Sequence, residues 1–283
     1  MKEQKIKSPM YGKEKMGRLV KWFFGLPLIF VLYFTVSLIM PTAASGSRQI
    51  MILNILSYLV FIMVTIVVVT KFLGFPFKKM VNQSGCFNYG FFLVGLITMF
   101  VLGAGTTFVW MAFRPDSFKF TMGPGFALDA LLSLVLVVCA AFLEEVLCRS
   151  YIAYFRTDEL ETRPRYKLVY CLASAAVFTI FHFQNPEVKG SQAVYSMIFY
   201  FIMGFAMMAI TLKTKGIEAA LGIHIANNLV NAWIFTYPNA ALTTNALFTH
   251  YDNIGPMMLV QAVLCILASS FAVSVSSRKI VNE

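Results

Sequence analysis

The sequence predicts an all-α, polytopic membrane protein with about eight transmembrane helices. Of the 283 residues, 59% are hydrophobic and 13% are charged, whereas a soluble domain carries about 25% charged residues. Apolar runs of about 20 residues, the length that spans a bilayer as a helix, recur along the chain. These runs are continuous rather than alternating, so helices are expected instead of a β-barrel.

The predicted spans follow a basic cytoplasmic tail at residues 1–21. Most prolines fall between the spans or at their ends, where helices tolerate them. The chain divides into three N-terminal helices within 22–123, a core within 124–236, and an outer loop with the last helix within 237–283. The helix of span four is expected to continue to about residue 157. The spans are predicted at 22–40, 50–70, 89–112, 126–147, 167–183, 192–212, 217–236 and 254–275.

Basic residues predict the orientation. With the N-terminus inside, all but four of the 23 Lys and Arg residues fall in cytoplasmic segments, which satisfies the positive-inside rule. Both termini are therefore expected in the cytoplasm. The formal net charge of +10 reflects this bias and contacts with anionic lipid. No nucleic-acid-binding motif accompanies it. The four basic residues predicted to lie outside the cytoplasmic segments are Arg48, Arg114, Lys119 and Lys189.

Charged residues at the end of span four mark a candidate functional site, because charge within a membrane-length segment is costly. Glu145 and Arg149 are four residues apart, so a helix places them on one face as an ion pair. Glu144 lies about 100° round the helix without that partner, and is free to act as a general base. The alternative is that both glutamates pair with basic loop residues at the membrane edge.

Two further polar clusters lie on spans five and seven. His182 ends an apolar helix, and Phe178 is one turn earlier, where it can fix the imidazole. His224 and Asn228 are one turn apart on one helix face, as the preorganised donors of an oxyanion hole would be. Singly, His182 can be an interfacial or capping residue, and the polar residues of span seven can cement helix packing. Together the three clusters supply the groups that amide hydrolysis needs.

These clusters resemble the three motifs of the CPBP intramembrane proteases. That family includes type II CAAX prenyl endopeptidases, lysostaphin-resistance-like proteins, and bacteriocin-processing or immunity proteins. The resemblance covers about residues 124–236, with the motifs in the expected order on separate helices. The motifs are Glu144-Glu145-x-x-x-Arg149, Phe178-x-x-x-His182 and His224-x-x-x-Asn228.

The resemblance implies a glutamate-dependent endopeptidase that needs no cofactor. Glu144 is then the base that activates water, and His182 positions or deprotonates that water. His224 and Asn228 hold the oxyanion of the tetrahedral intermediate. The supporting residues are Glu145, Arg149 and Phe178.

The implied substrate is a prenylated or otherwise membrane-associated protein or peptide, which the enzyme binds within the lipid bilayer. A membrane regulator is a further candidate partner. Two alternatives remain open. One is a zinc protease in which Glu144, His182 and His224 form a His₂Glu site, although the sequence has no HExxH motif. The other is a non-catalytic membrane scaffold or immunity protein of the same family.

The expected location is a bacterial cell membrane, with the active site in a water-filled cavity between spans four, five and seven. This cavity should open toward the cytoplasm. His182 lies about 22 Å beyond Lys167 along its helix, so the three motifs converge only if span five starts well outside the membrane or tilts strongly. Pro164 makes the extended start plausible, because proline suits the first position of a helix.

Overall fold

The computed structural model describes residues 9–38, 47–155, 164–238, 240–242 and 244–281. The described chain is predominantly helical, so the predicted all-α class is confirmed. Of the predicted basic tail, residues 1–8 lie outside the described residues. Residues 9–21 are already part of the first helix, so that helix begins earlier than the sequence predicts.

The helices are numbered here in chain order. Three of them, α2, α5 and α8, pass directly into π-helical turns, at Val68–Phe72, Val146–Tyr151 and Val230–Ile234. The helices are α1 (Pro9–Ser37), α2 (Ser47–Val67), α3 (Phe77–Val81), α4 (Tyr89–Phe113), α5 (Phe126–Glu145), α6 (Pro164–Phe181), α7 (Ala193–Thr214), α8 (Glu218–Leu229) and α9 (Gly255–Val281). Shorter elements are a π turn at Val68–Phe72 and 3₁₀ turns at Pro115–Ser117, Ile152–Phe155 and Pro186–Val188.

Six stretches of the described chain are long and apolar enough to cross a membrane. They are Gly17–Val36, Ser47–Phe72, Tyr89–Phe113, Phe126–Tyr151, Ala193–Thr214 and Gly255–Ser274. The other two predicted spans form the helices α6 and α8, which are not among these six membrane-length apolar stretches. Both are shorter and more polar, since α6 starts with basic residues and α8 carries a glutamate, a histidine and two asparagines. The count of eight spans therefore stays a prediction.

Glycines let the helices that carry the site approach closely. A Cβ on Gly222 of α8 would lie 2.2 Å from the carbonyl oxygen of Phe92 on α4. A Cβ on Gly204 of α7 would lie 2.7 Å from the Cα of Ala175 on α6. Close backbone approach at small residues is a main source of helix association in membranes. It holds α8 against α4 and α6 against α7.

One end of the bundle, called the sheet end, carries a small three-stranded sheet that the sequence does not predict. The strand order is β1 (Phe118–Phe120), β3 (Phe248–His250), β2 (Phe235–Thr236). Strand β1 pairs antiparallel to β3, with Phe118 opposite His250, and β2 pairs parallel to β3. The sheet thus joins two connections, the one between α4 and α5 and the one between α8 and α9.

The opposite end, called the basic end, carries Lys78, Lys79, Lys213 and Lys215 on the α3 and α7–α8 segments. Buried Glu218 ties these segments together there. Its Oε1 accepts hydrogen bonds from Asn82 Nδ2 (2.7 Å) and from the backbone N–H of Asn88 (2.9 Å). The separation of the basic end from the sheet end follows the loop order expected from the sequence.

Asp129 is a charged residue in the first turn of α5 for which the sequence suggested no role. It is 3% exposed. Its carboxylate accepts hydrogen bonds from Arg48 Nε and Asn245 Nδ2. Arg48, one of the four exceptions to the positive-inside pattern, therefore has a structural partner near the sheet end.

Candidate active site

Glu144 and Glu145 are the last two residues of α5, and Arg149 lies in the π turn that follows them. Glu145 and Arg149 are both 0% exposed. Arg149 Nη2 donates to Glu145 Oε1 at 3.1 Å. Arg149 Nε also lies 3.1 Å from Glu145 Oε2, as an ionic contact without hydrogen-bond geometry. The predicted ion pair is therefore present and fully buried.

Arg149 also joins α5 to the two following helices. Its guanidinium carbon lies 4.5 Å from the ring centroid of Phe178 on α6. Its Nη1 donates to Ser174 Oγ (3.3 Å) on the same helix, and its Nη2 lies 3.8 Å from the sulfur of Met207 on α7. An arginine with these contacts neutralises a buried carboxylate and fixes the helix positions around it.

Both histidines direct Nε2 toward Glu144. His224 Nδ1 lies 2.9 Å from Glu145 Oε1, and His182 Nδ1 lies 2.7 Å from the carbonyl oxygen of Phe178. A carboxylate and a carbonyl only accept here, so each Nδ1 carries a proton. The Nε2 atoms of His182 and His224 then face Glu144 Oε2 at 3.6 and 3.7 Å. These separations exceed a direct hydrogen bond and suit one bridging water.

Aromatic rings fix the orientation of His182. Its imidazole stacks on the ring of Tyr200, with centroids 4.0 Å apart and an interplanar angle of 28°. Phe178 contacts it from the previous turn at 4.4 Å and meets His224 edge-on at 5.6 Å. Phe178 thus touches both histidines and the arginine, which gives this predicted supporting residue a definite place.

Asn228 lines the same cavity as His224, one turn further along α8. Its Oδ1 accepts from Asn227 Nδ2 at 3.3 Å, which leaves its amide N–H groups to donate into the cavity. Asn231 also lines the cavity, but both ends of its amide are engaged by neighbouring residues. Its Nδ2 donates to the carbonyl oxygen of Asn227 (2.9 Å), and its Oδ1 accepts from Gln261 of α9 (3.2 Å).

The convergence of the motifs depends on the lengths of α5 and α6. Helix α6 begins at Pro164, as the sequence suggests, and the α5 segment continues through its π and 3₁₀ turns to Phe155. His182 directly follows α6, and His224 lies two turns into the short helix α8. His182 thus meets Glu144 from the far end of α6, and His224 meets the same carboxylate from the middle of α8.

A cavity of about 570 Å³ surrounds these residues and extends toward the sheet end. Exposed Asn54 and Ala241 contribute to its lining, together with Ile254. No described residue of the basic-end loops lines it. The orientation of the bundle in the membrane and the expected cytoplasmic opening of the cavity stay predictions.

The cavity also contains polar residues that the sequence did not reveal. Asn185 and Glu187 come from the connection between α6 and α7, and Tyr200 and Tyr237 complete the group. One signal was present in the sequence. Glu187 is an acidic residue only five positions beyond His182 in the connection between α6 and α7.

A metal site is not preformed around these side chains. In the described ranges, no group of three His, Cys, Asp or Glu side chains is arranged to hold a metal ion. Glu144, His182 and His224 are nevertheless residue types that zinc takes as ligands. Metal analysis of the purified protein therefore tests the zinc alternative.

Comparisons with known proteins agree with the motifs. Residues 126–230 match the family model described as Type II CAAX prenyl endopeptidase Rce1-like. The uncharacterized protein YyaK of Bacillus subtilis (strain 168) is 28% identical over 167 residues, which are 58% of this chain and 54% of that protein. The chain therefore spans about half the length of this curated relative. No solved structure matches the chain significantly.

Proposed function

We propose that this chain, whose residues 126–230 belong to the Rce1-like family of type II CAAX prenyl endopeptidases, is a glutamate-dependent intramembrane endopeptidase. The family is a protease family of membrane proteins. The observation that carries the proposal is the approach of His182 Nε2 and His224 Nε2 to Glu144 Oε2, at 3.6 and 3.7 Å, inside a cavity.

The geometry suits activation of a water molecule. Because both Nδ1 atoms carry protons, a neutral His182 offers a lone pair at Nε2, beside the carboxylate of Glu144. A water held between these two acceptors donates one O–H to each and presents its oxygen lone pair to a peptide carbonyl. As the oxygen attacks the carbonyl carbon, Glu144 takes the proton. It then passes this proton to the departing amine nitrogen when the C–N bond breaks.

The oxyanion is stabilised from α8. His224 Nδ1–H donates to Glu145, so its Nε2 donates only when the imidazole is protonated. The proposal therefore uses the imidazolium form of His224, whose Nδ1–H is held by Glu145 Oε1 at 2.9 Å. The Nε2–H of this imidazolium and the amide of Asn228 then provide two preorganised donors for the oxyanion.

The substrate class proposed is a membrane-associated or lipidated protein or peptide. Aromatic side chains of α1, α2 and α6 line the cavity, namely Phe30, Tyr33, Phe61 and Phe181. This aromatic part of the lining suits an apolar group of the substrate, while the polar residues lie around Glu144 and Glu187. The same walls belong to helices that meet the bilayer, from which a lipidated segment would enter.

Substitution of Glu144→Gln tests the mechanism, because glutamine keeps the shape of glutamate without its basicity. We expect cleavage of a quenched fluorescent reporter by the full chain in nanodiscs to fall by about 10²–10⁴-fold. Glu218→Gln is a matched control, since it removes another buried carboxylate that does not line the cavity. If the Glu144→Gln protein cleaves within a few-fold of the original chain, Glu144 is not the base.

A further inference from the structure

The active-site cavity contains a second carboxylate, Glu187, which the proposed hydrolysis does not use. Its residue is 6% exposed, yet it contributes to the cavity lining. Glu187 Oε1 accepts hydrogen bonds from the hydroxyl of Tyr200 and from Asn185 Nδ2 (3.2 Å). Its other oxygen, Oε2, is buried and has no hydrogen-bond partner among the described residues.

A buried carboxylate with one unpaired oxygen is costly unless a ligand supplies the missing donor. The described lining of the cavity holds the carboxylates of Glu144 and Glu187 and no Lys or Arg. No ion pair of Glu187 occurs in the described part of the chain, and the nearby Lys189 is exposed. The negative field of Glu187 reaches the phenol of Tyr237, where burial and this charge both raise the pKa. The cavity therefore favours a positive charge.

Glu187 is joined to the catalytic cluster by a single side chain. The ring of Tyr200 stacks on His182 at 4.0 Å, and the hydroxyl of the same residue donates to Glu187. A group bound at Glu187 Oε2 therefore lies about one tyrosine side chain from His182. That distance is within the reach of a residue close to the scissile bond of a bound peptide.

We propose that Glu187, supported by Asn185 and Tyr200, forms a subsite that binds a cationic group of the substrate. This inference rests on the proposed peptidase function and specifies its substrate. A lysine or arginine side chain near the cleaved bond, or the free α-ammonium of a short peptide, donates to Glu187 Oε2. Substrates carrying such a group are selected over neutral ones.

Matched peptides test the subsite on the full chain in nanodiscs. A positional scan replaces each residue around the cleaved bond with lysine or with norleucine, which has a similar shape but no charge. An acetylated and a free N-terminus separate a side-chain cation from an α-ammonium. We expect one position, or the free terminus, to raise kcat/KM about tenfold or more, the effect of one charge-assisted hydrogen bond. A scan in which no cation raises kcat/KM overturns the proposal without any variant.

Variants of Glu187 assign the preference to this residue. Glu187→Gln should bring the lysine-to-norleucine ratio close to one, and Glu187→Lys should favour glutamate at the same position. Glu218→Gln is the control and should leave the ratio unchanged. If Glu187 only positions Tyr200 and His182, Glu187→Gln lowers turnover of both peptides equally and the ratio stays as it was, which overturns the proposal.

Binding separates this inference from the proposed function. Fluorescent lysine and norleucine peptides are titrated against the Glu144→Gln protein, which should bind without cleaving. A cation preference in binding, without cleavage by the unaltered chain, supports the subsite and refutes the peptidase function. Cleavage dependent on Glu144 without any cation preference refutes the subsite alone.

Discussion

Replacing Arg149 with methionine tests the buried ion pair at the centre of the site. The two charged groups are completely buried and their closest atoms are 3.1 Å apart. Unit charges at 3.1 Å attract by about 5 kcal/mol at an effective dielectric constant of about 20. Methionine keeps much of the apolar bulk of arginine, but it leaves the carboxylate of Glu145 with His224 as its remaining partner.

We expect Arg149→Met to lower the free energy of unfolding by about 3–5 kcal/mol, the cost of removing one partner from a buried pair. The lost contact with the ring of Phe178 adds to this cost. Combining it with Glu145→Leu removes both charges, and the double variant should recover to within about 1–2 kcal/mol of the original protein. It should still lose peptide cleavage, because His224 Nδ1 then has no acceptor.

The free energies are measured by reversible unfolding in mixed phospholipid and SDS micelles, followed by the fluorescence of the three tryptophans and extrapolated linearly. Arg165→Met is the matched control, because Arg165 is exposed on α6 and its replacement should cost less than about 1 kcal/mol. The reasoning fails if Arg149→Met is as stable as this control. It also fails if the double variant is no more stable than Arg149→Met.

Three further outcomes are expected. Reporter cleavage should persist in strong chelator, and elemental analysis should find no zinc in the purified protein. If chelator abolishes cleavage and added zinc restores it, the His₂Glu alternative is established. Gly222→Ala should destabilise the protein by about 1–3 kcal/mol in the same micelles, because the alanine Cβ would lie 2.2 Å from the carbonyl oxygen of Phe92. Unchanged stability would show that α4 and α8 can move apart freely. Burial lowers the pKa of His250 in the folded protein, and Asp252 opposes this with a smaller effect. As the pH drops below about 6.5, this histidine therefore binds a proton in the unfolded chain before it does so in the folded protein, and the free energy of unfolding should fall. Thermal unfolding of His250→Gln should lack this acid-dependent loss, and an identical pH profile would refute the assignment.

The sequence was sufficient for the parts of the site that depend on local periodicity. The four-residue spacing of Glu145 and Arg149 predicted an ion pair that the structure contains. The suitability of Pro164 for a first helical position predicted the start of α6, which in turn determines where His182 lies. These inferences succeed because the geometry of one helix follows from its sequence alone.

The features that were missed depend on contacts between distant segments. The sheet joins Phe118–Phe120 to Phe248–His250 across more than a hundred residues, and such short strands have no pattern of their own. The pairing of Asp129 with Arg48 likewise joins two helices. Glu187 has no motif of its own, and only the fold places its connection against Tyr200.

The spacing of Glu145 and Arg149 also has a consequence for biogenesis. Segments enter the membrane in the order of synthesis, and an unpaired charge there is expensive. Arg149 is made only four residues after Glu145, so α5 can neutralise both charges before Ser174, Phe178 or Met207 exists. Asp129 similarly finds Arg48 already present on α2. The nascent chain therefore needs no later helix to pair Asp129, Glu145 and Arg149, whereas Glu144 meets its two histidines only after α6 and α8 have been made.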